Sequence, residues 1–162
     1  MASGSRMMCN YIRYGGVARD LPKEFLPRAK ELVARMPAFI DELERLVTSE
    51  IFLARTKGIG ILPPDLAVAF SASGPLLRGS GARYDIRRAD SYSIYDRFDF
   101  EVPTGTVGDV FDRYMVRIKE ARQSVRILEQ ALADIPEGEV MTRMRGVFRP
   151  PAGEAYGRIE SP

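Results

Sequence analysis

The sequence predicts a mainly α-helical fold with a few short strands, an α+β arrangement around a helical core. Apolar residues recur at steps of four and three from about 107 to 135, which predicts one long helix. A second helical pattern covers 22–48, and every run that alternates like a strand is short. A chain of 162 residues lies in the usual single-domain range, so we expect 1–162 to be one domain or a fragment of one.

The N-terminal part is predicted to finish a helix and then to become extended. Residues 2–9 have the pattern of the last helical turns, and 11–17 form an extended segment that ends in the pair Gly15 and Gly16. A glycine pair allows another backbone or a flat ligand to approach closely, and Arg13 beside it offers a fixed charge. Packing of an ordinary loop would explain the same residues.

The middle of the chain is predicted to hold several helices. Pro37 should kink or divide the helix over 22–48, because a proline inside a helix removes a hydrogen bond and crowds the preceding turn. A shorter helix is expected at 50–57, and 64–70 should form one or two turns that start at prolines.

A glycine- and serine-rich region follows, at 73–75 and 78–81. It contains neither a GxxxxGK[ST] loop nor a GxGxxG unit between a strand and a helix, so we expect a tight structural turn with Arg78 paired to a carboxylate. Alternating residues predict short strands at 82–87 and 98–102, with a last strand at 155–160.

The stripe over 107–135 indicates a core helix that packs against the other amphipathic segments, with a coiled-coil dimer as the alternative. Two carboxylate pairs, Asp41 with Glu44 and Asp109 with Asp112, fall on charged helix faces. We expect them to be solvated rather than to do acid–base chemistry.

Composition excludes several kinds of site. The chain has no histidine and one cysteine, so it lacks the ligands and bases for zinc sites, iron–sulfur ligation or a histidine-dependent triad. No apolar run approaches the ~20 residues of a spanning helix. A net charge of +2 gives no reason to expect nucleic acid. A lone Cys9 and an N-terminus without a signal-like apolar core favour a reducing, cytoplasmic setting.

Strings that follow one another along nearly the whole chain carry a family resemblance. They lie at 3–7, 11–17, 20–22, 51–60, 73–81, 84–88, 95–100, 108–113 and 150–156. Together they resemble the D subunit of the proton-pumping NADH:quinone oxidoreductase, respiratory complex I. That family is in turn similar to the large subunit of nickel–iron hydrogenases, with the metal ligands lost.

The resemblance implies the helical core of the hydrogenase large-subunit-like fold and the central part of a larger quinone-binding subunit. Such a subunit is peripheral, on the cytoplasmic side of the cell membrane, and contacts subunits B and C and the membrane arm. Electrons pass from NADH through iron–sulfur clusters in partner subunits to a membrane quinone, coupled to proton translocation. This chain alone would bind no metal or other cofactor and would be inactive; the quinone is shared with a partner, and the B subunit holds the terminal cluster.

Residues in the extended segment match the family's site. By resemblance, Arg13 lies near the terminal cluster and the quinone cavity, with Tyr11 in the same segment. Gly15 and Gly16 would let the backbone turn beneath that arginine. Asp20 would anchor the turn or cap the next helix.

Three further positions complete this interpretation. Met8 stands where many members have a histidine that links cluster reduction to proton uptake, which puts that coupling in doubt here. Ser91 replaces a usual proline, a change in loop stiffness. Arg78 is expected to be structural or supporting. Two other hypotheses remain open: a subunit of a hydrogenase-like membrane complex that uses ferredoxin, and a non-catalytic structural or adaptor domain.

Overall fold

The computed structural model describes residues 10–143 and 149–158, and it confirms the predicted fold class. The described elements are the strands β1 (Ile12–Arg13) and β2 (Gly16–Val17), the helices α1 (Phe25–Val47), α2 (Glu50–Thr56), α3 (Pro64–Ala69), α4 (Gly74–Gly79), α5 (Ile86–Ala89) and α6 (Val110–Ala133), and a 3₁₀ turn at Tyr95–Arg97. Within the described ranges, no helix is both long enough and apolar enough to cross a membrane.

The long helices α1 and α6 pack against each other as an antiparallel pair. Their contact is the main apolar cluster, made of Val33, Ile40, Ile118 and Val125 with Met36, Tyr114, Ala121 and Leu132 around it. The direction follows from the ends, because the Thr48 hydroxyl lies 3.4 Å from the Tyr114 hydroxyl while Arg122 pairs with Asp41 further along. Each fully buried aliphatic side chain contributes roughly 1.5–3 kcal/mol. The stripe predicted from the sequence therefore packs within the chain.

Pro37 lies inside α1 without dividing it. The helix continues from Phe25 to Val47, so the predicted division at Pro37 is wrong. Proline removes one backbone donor. The burial of Val33 and Ile40 on either side of it holds the turns together.

Helix α6 is shorter than the predicted 107–135 because side chains stop it at its start. Asp109 is its N-cap and accepts hydrogen bonds from the amides of Asp112 and Gly58, both at 2.7 Å. The Asp112 carboxylate in turn accepts the amides of residues 106–108. The expectation that this carboxylate pair would be solvated is wrong for Asp109, which is buried. Asp109 acts as the N-cap of α6.

Helix α4 contacts α6 through glycine. A Cβ on Gly79 would lie 2.6 Å from Cγ of Arg113, and one on Gly105 would lie 2.2 Å from the carbonyl oxygen of Gly79. Both distances are far inside van der Waals contact. Glycine is therefore required at position 79 for α4 to approach α6, and at position 105 for the loop before α6 to approach α4.

The strands predicted at 82–87 and 98–102 do not form. Residues 86–89 are the short helix α5, capped by Asp85, whose carboxylate accepts the Arg87 amide at 3.0 Å. The amides of Asp99 and Glu101 bond to side chains of α6, Gln130 and Gln123, instead of to a neighbouring strand. The residue types do alternate in 98–102, but the hydrogen-bond partners of the backbone there belong to helix α6 and not to a strand.

Two predicted elements fall partly or wholly outside the described residues. The helix at 2–9 lies entirely outside them. Of the strand predicted at 155–160, the positions 155–158 are described and carry no strand, so that part of the prediction is wrong.

Candidate functional site: an arginine-bearing hairpin and a buried arginine

The segment 11–17 is a tight antiparallel hairpin rather than one extended run. Ile12 pairs with Val17, and Arg13 pairs with Gly16. The amide of Ala18 donates to the carbonyl of Tyr11 at 2.8 Å and closes the hairpin at its base. Two residues separate the strands, so the backbone must reverse within Tyr14 and Gly15.

A distant part of the chain fixes the hairpin in place. The Val17 amide donates to the Val140 carbonyl at 2.9 Å, and the Thr142 amide donates to the Gly15 carbonyl at 2.8 Å. Gly16 bridges to Met141 between these bonds. The segment 140–142 therefore acts as a third, short edge beside the hairpin. Nothing in the sequence signals this contact, because the partners are far apart in the chain.

Gly16 is the position that allows this contact. Its φ is +148°, a value that residues with side chains rarely adopt, and a Cβ there would lie 2.2 Å from the Val140 carbonyl oxygen. Gly15, with φ of +88°, makes the reversal itself. The two glycines thus have separate structural tasks, the turn and the close approach.

Arg13 stands on the exposed side of this rigid support. Its Nε donates to the Asn10 carbonyl at 3.2 Å, which orients the guanidinium. Its terminal nitrogens have no partner among the described residues. Tyr11 is half-buried and donates its hydroxyl proton to the Arg19 carbonyl at 2.9 Å, so its ring braces the base of the hairpin.

Asp20 lies at the edge of an open cleft of about 620 Å³ beside the hairpin. The cleft is lined by Asp20 and by residues 138–143. The Asp20 carboxylate accepts the amide of Leu21 at 2.7 Å. The N-cap of α1 is Glu24, whose side chain makes no capping bond. The bond to Leu21 lies within the turn after the hairpin, and the role of Asp20 as its anchor stays a prediction.

Arg78 belongs to a separate, buried site. It lies at the end of α4, 5% exposed, and forms an ion pair with Glu120 of α6 while Nη1 donates to the Tyr84 carbonyl at 2.9 Å. The expected pairing of Arg78 with a carboxylate is confirmed. The expected turn is in fact the short helix α4, followed by a turn closed by the Gly81 amide on the Arg78 carbonyl.

A second pair lies next to Arg78. Burial of the Asp85 carboxyl would raise its pKa, but hydrogen bonds from Arg87 and the charges of Arg87 and Arg78 outweigh this and hold that pKa below its usual range. Phe100 is buried, and its ring centre lies 4.9 Å from the guanidinium carbon of Arg87 and 4.0 Å from that of Arg88. These contacts join α5 to the segment before α6. The network is fully paired, which indicates a structural role.

The described residues offer no set of ligands for a metal. No group of three or more histidine, cysteine, aspartate or glutamate side chains comes together in 10–143 and 149–158. Met8 and Cys9 lie outside the described residues. Within those ranges, the hairpin and the Arg78 network are two places where charged side chains are organised, and the hairpin is the one that holds its arginine at the surface.

Fold and site together define a mainly helical protein that presents an exposed arginine on a glycine hairpin. Comparison with known proteins makes this specific. The family model for the respiratory-chain NADH dehydrogenase 49 kDa subunit matches residues 1–162. The chain belongs to that family, as the resemblance in the sequence implied.

Relatives in several bacteria carry the same name. The chain is 58% identical over its whole length to the D subunit of the NADH-quinone oxidoreductase of Dehalococcoides mccartyi strain 195, and it covers 44% of that protein. It is 53% identical to the D 1 subunit of Roseiflexus sp. RS-1, covering all of this chain and 46% of that protein. Identity to the D subunit of Desulforamulus reducens is 48%, over 99% of this chain and 44% of that protein. The chain thus spans less than half the length of these relatives.

Proposed function

We propose that this chain is the central part of the quinone-binding subunit of an NADH:quinone oxidoreductase. In this proposal, electrons from NADH reach it through iron–sulfur clusters in partner subunits and leave to a membrane quinone, coupled to proton translocation. Family membership supports the complex. The observation that supports the site is the exposure of Arg13 on a hairpin. The second strand of that hairpin is bonded to the first strand on one side and to 140–142 on the other.

The Arg13 guanidinium would act electrostatically. A fixed positive charge stabilises negative charge that develops nearby, on a reduced cluster or on a quinone oxygen, more strongly when the charge does not have to reorganise. The Asn10 carbonyl holds Nε, and the two terminal nitrogens would donate outward. Gly15 and Gly16 keep side chains away from the backbone beneath it, and Tyr11 braces the base.

The cluster and the quinone would be held mostly by other groups. Cys9 is the one cysteine of the chain, whereas an iron–sulfur cluster is usually held by four cysteine thiolates. We therefore propose that the chain binds no metal by itself, that the B subunit holds the terminal cluster, and that the quinone lies between the two subunits. The C subunit and the membrane arm are the other proposed partners. Elemental analysis of the purified subunit should find no stoichiometric iron; finding it would contradict this part.

The location follows from the same proposal. The complex would place this subunit on the cytoplasmic side of the cell membrane as a peripheral component, with no nucleic-acid partner. Proton coupling at the cluster depends on what replaces the histidine that many members have at the position of Met8. We propose that the neighbouring arginine, rather than a titrating side chain at residue 8, sets the electrostatics there.

Substitution of Arg13 in the assembled complex tests this function. Arg13→Ala should reduce quinone reductase activity about tenfold or more, because one preorganised charge is lost. NADH oxidation by an artificial acceptor, which bypasses the quinone, should remain normal. Arg19→Ala, at another exposed arginine close in sequence, is the matched control and should leave both activities intact. Normal quinone reduction in Arg13→Ala would remove Arg13 from the site.

A further inference from the structure

A cavity of about 310 Å³ lies beside the short helix α5, and we name it the α5 cavity. The residues that line it are Arg83, Asp85, Arg88, Ala89, Phe100 and Val102. Its volume is at the lower end of the range of about 300–1,000 Å³ for sites that bind small ligands. None of these residues belongs to the hairpin that carries Arg13, so the cavity is a separate candidate for binding.

Arg88 is held in one orientation at this cavity. Its Nη2 donates to the carbonyls of Phe98 at 3.0 Å and Phe100 at 2.8 Å. The guanidinium carbon also lies 4.0 Å from the centre of the buried Phe100 ring. Within the described part of the chain, nothing accepts a hydrogen bond from its Nε or Nη1. A guanidinium whose orientation is already set loses less freedom when it binds an anion.

Arg83 brings a second guanidinium to the same cavity. Its side chain is exposed, and no residue that the structure describes accepts a hydrogen bond from it or forms an ion pair with it. Other arginines in this region are paired: Arg87 binds Asp85, and Arg158 binds Asp90. All the donors of the Arg83 guanidinium are therefore open to a ligand.

The α5 cavity is positively charged because its carboxylate already has a partner. Among the described lining residues, Asp85 is the one carboxylate. Arg87 binds both of its oxygens, Oδ1 from Nε at 2.9 Å and Oδ2 from Nη2 at 2.6 Å. The charges of Arg83 and Arg88 are therefore not offset within the cavity. Beside the apolar ring of Phe100, their attraction for an anion is stronger than it would be in open water.

The donors indicate which anion fits. Guanidinium groups bind phosphate through paired, charge-assisted N–H···O bonds. A carboxylate has one charge and two oxygens, which a single guanidinium can satisfy. A phosphate monoester has a charge of about −1.5 to −2 near neutral pH and three strong acceptor oxygens, so two guanidinium groups can share it.

We propose that the α5 cavity binds phosphate as the dianion, either inorganic phosphate or a small phosphate monoester. Arg83 and Arg88 are the two groups that bind it. This inference goes beyond the proposed function and does not use the hairpin. Arg13→Ala should therefore bind phosphate normally, and failure of the proposed function would leave this site unaffected.

Equilibrium dialysis of the assembled complex with radiolabelled inorganic phosphate tests the proposal. We expect a site with a Kd of about 1 mM or lower. Arg83→Gln should weaken it about tenfold or more, because one charged hydrogen-bonding group is lost. Arg55→Gln, at an exposed arginine on α2 outside the cavity, is the matched control and should leave the affinity unchanged. Equal phosphate binding by the Arg83→Gln complex and the unaltered complex would overturn the proposal.

Two other ligands separate a phosphate dianion from the phosphate groups of lipids. Dimethyl phosphate, a singly charged phosphodiester, should bind at least about tenfold more weakly than inorganic phosphate, because it cannot use both positive charges fully. Equal affinities for these two ions would contradict the charge argument. Vesicles that contain phosphatidylglycerol present phosphodiester groups at a membrane surface. Attachment to them that depends on Arg83, without binding of inorganic phosphate, would mean a lipid site and would overturn the proposal.

Chemical modification gives an independent readout that needs no substitution. Phenylglyoxal reacts with accessible arginine side chains, and mass spectrometry of peptides measures the rate at each position. Inorganic phosphate at a few times its Kd should slow the modification of Arg83 by about threefold or more, since most sites are then occupied. The rate at Arg55 should not change. The same rate at Arg83 with and without phosphate would show that the cavity does not bind this anion.

Discussion

Arg78 and Glu120 form an ion pair beneath the surface, joining the end of α4 to the middle of α6, with side chains 6% and 16% exposed. Removing two charges from water is costly, and here Tyr84 also supplies a carbonyl to the guanidinium. Such a pair adds little net stability over apolar residues, but breaking it leaves one charge buried and unpaired. Each residue of the pair is therefore needed to keep the buried charge of the other one paired.

Glu120→Gln should lower the free energy of unfolding by about 3 kcal/mol, because it leaves the buried Arg78 guanidinium without its counter-charge. The same substitution at Glu24, whose pair with Arg28 is largely exposed, should cost less than about 1 kcal/mol. Urea denaturation of the protein measures both. Equal losses would show that Arg78 is not effectively buried.

Gly16→Ala should detach the hairpin from 140–142, because the new Cβ would meet the Val140 carbonyl oxygen at 2.2 Å. Gly138→Ala is the control: its φ of +145° is nearly the same, but nothing lies within 4 Å. Overpacking of this kind costs typically about 1–3 kcal/mol. Hydrogen exchange at the amides of Val17 and Thr142 should accelerate in Gly16→Ala and remain slow in Gly138→Ala; the opposite order would refute the explanation.

Asp109→Ala should destabilise the start of α6 by about 2 kcal/mol, because the amides of Gly58 and Asp112 both lose their acceptor. Asp109→Asn keeps a carbonyl oxygen and should cost clearly less. Ser49→Ala removes the N-cap bond of the short helix α2 and provides the comparison for a single capping bond. Exchange of the Gly58 amide reports the effect directly, and unchanged protection in Asp109→Ala would contradict it.

Acid should destabilise the protein partly through Asp112. Burial would raise the pKa of this carboxyl, but three backbone amides, those of residues 106–108, hold its pKa below the usual range. A group with a depressed folded pKa stabilises the fold above its unfolded pKa, about 3.9, and this contribution is lost as the pH falls through the folded value. Asp112→Asn should therefore flatten the loss of stability below about pH 4. An unchanged acid limb in denaturation experiments would exclude Asp112 as a contributor.

Helix pattern was the part of the fold that local sequence could predict. The four-and-three stripe located α6 because each helical turn repeats the same face, and it remained detectable over 24 residues. Its ends were missed because they depend on side chains: Asp112 bonds to the amides before the helix and sets the start at Val110. Strands failed for a related reason. In 98–102, the amides of Asp99 and Glu101 bond to side chains of α6, whereas Phe98 and Phe100 pack against Tyr95. Local pattern cannot distinguish this alternation from that of a strand.

The candidate site divided in the same way. The sequence predicted a turn from Gly15 and Gly16 and a charged side chain beside it from Arg13. The partner of that turn, 140–142, was not, because a contact between backbone atoms leaves no residue-type signal. Glu120 was missed as the partner of Arg78 because it is one of several carboxylates on α6, and only the packing of α4 through Gly79 brings it within reach.

The bonds that tie Gly15 to Thr142 and Val17 to Val140 have a consequence for the charge of Arg13. The Coulomb energy of a charge varies inversely with distance, so an arginine on a loosely held loop would produce a potential at neighbouring groups that changes as the loop moves. Arg13 lies on β1, which pairs with β2, and the turn and β2 are bonded to 140–142, so the backbone that carries this charge is held in place. The position of the Arg13 charge therefore depends on main-chain geometry, and with it on the absence of side chains at Gly15 and Gly16.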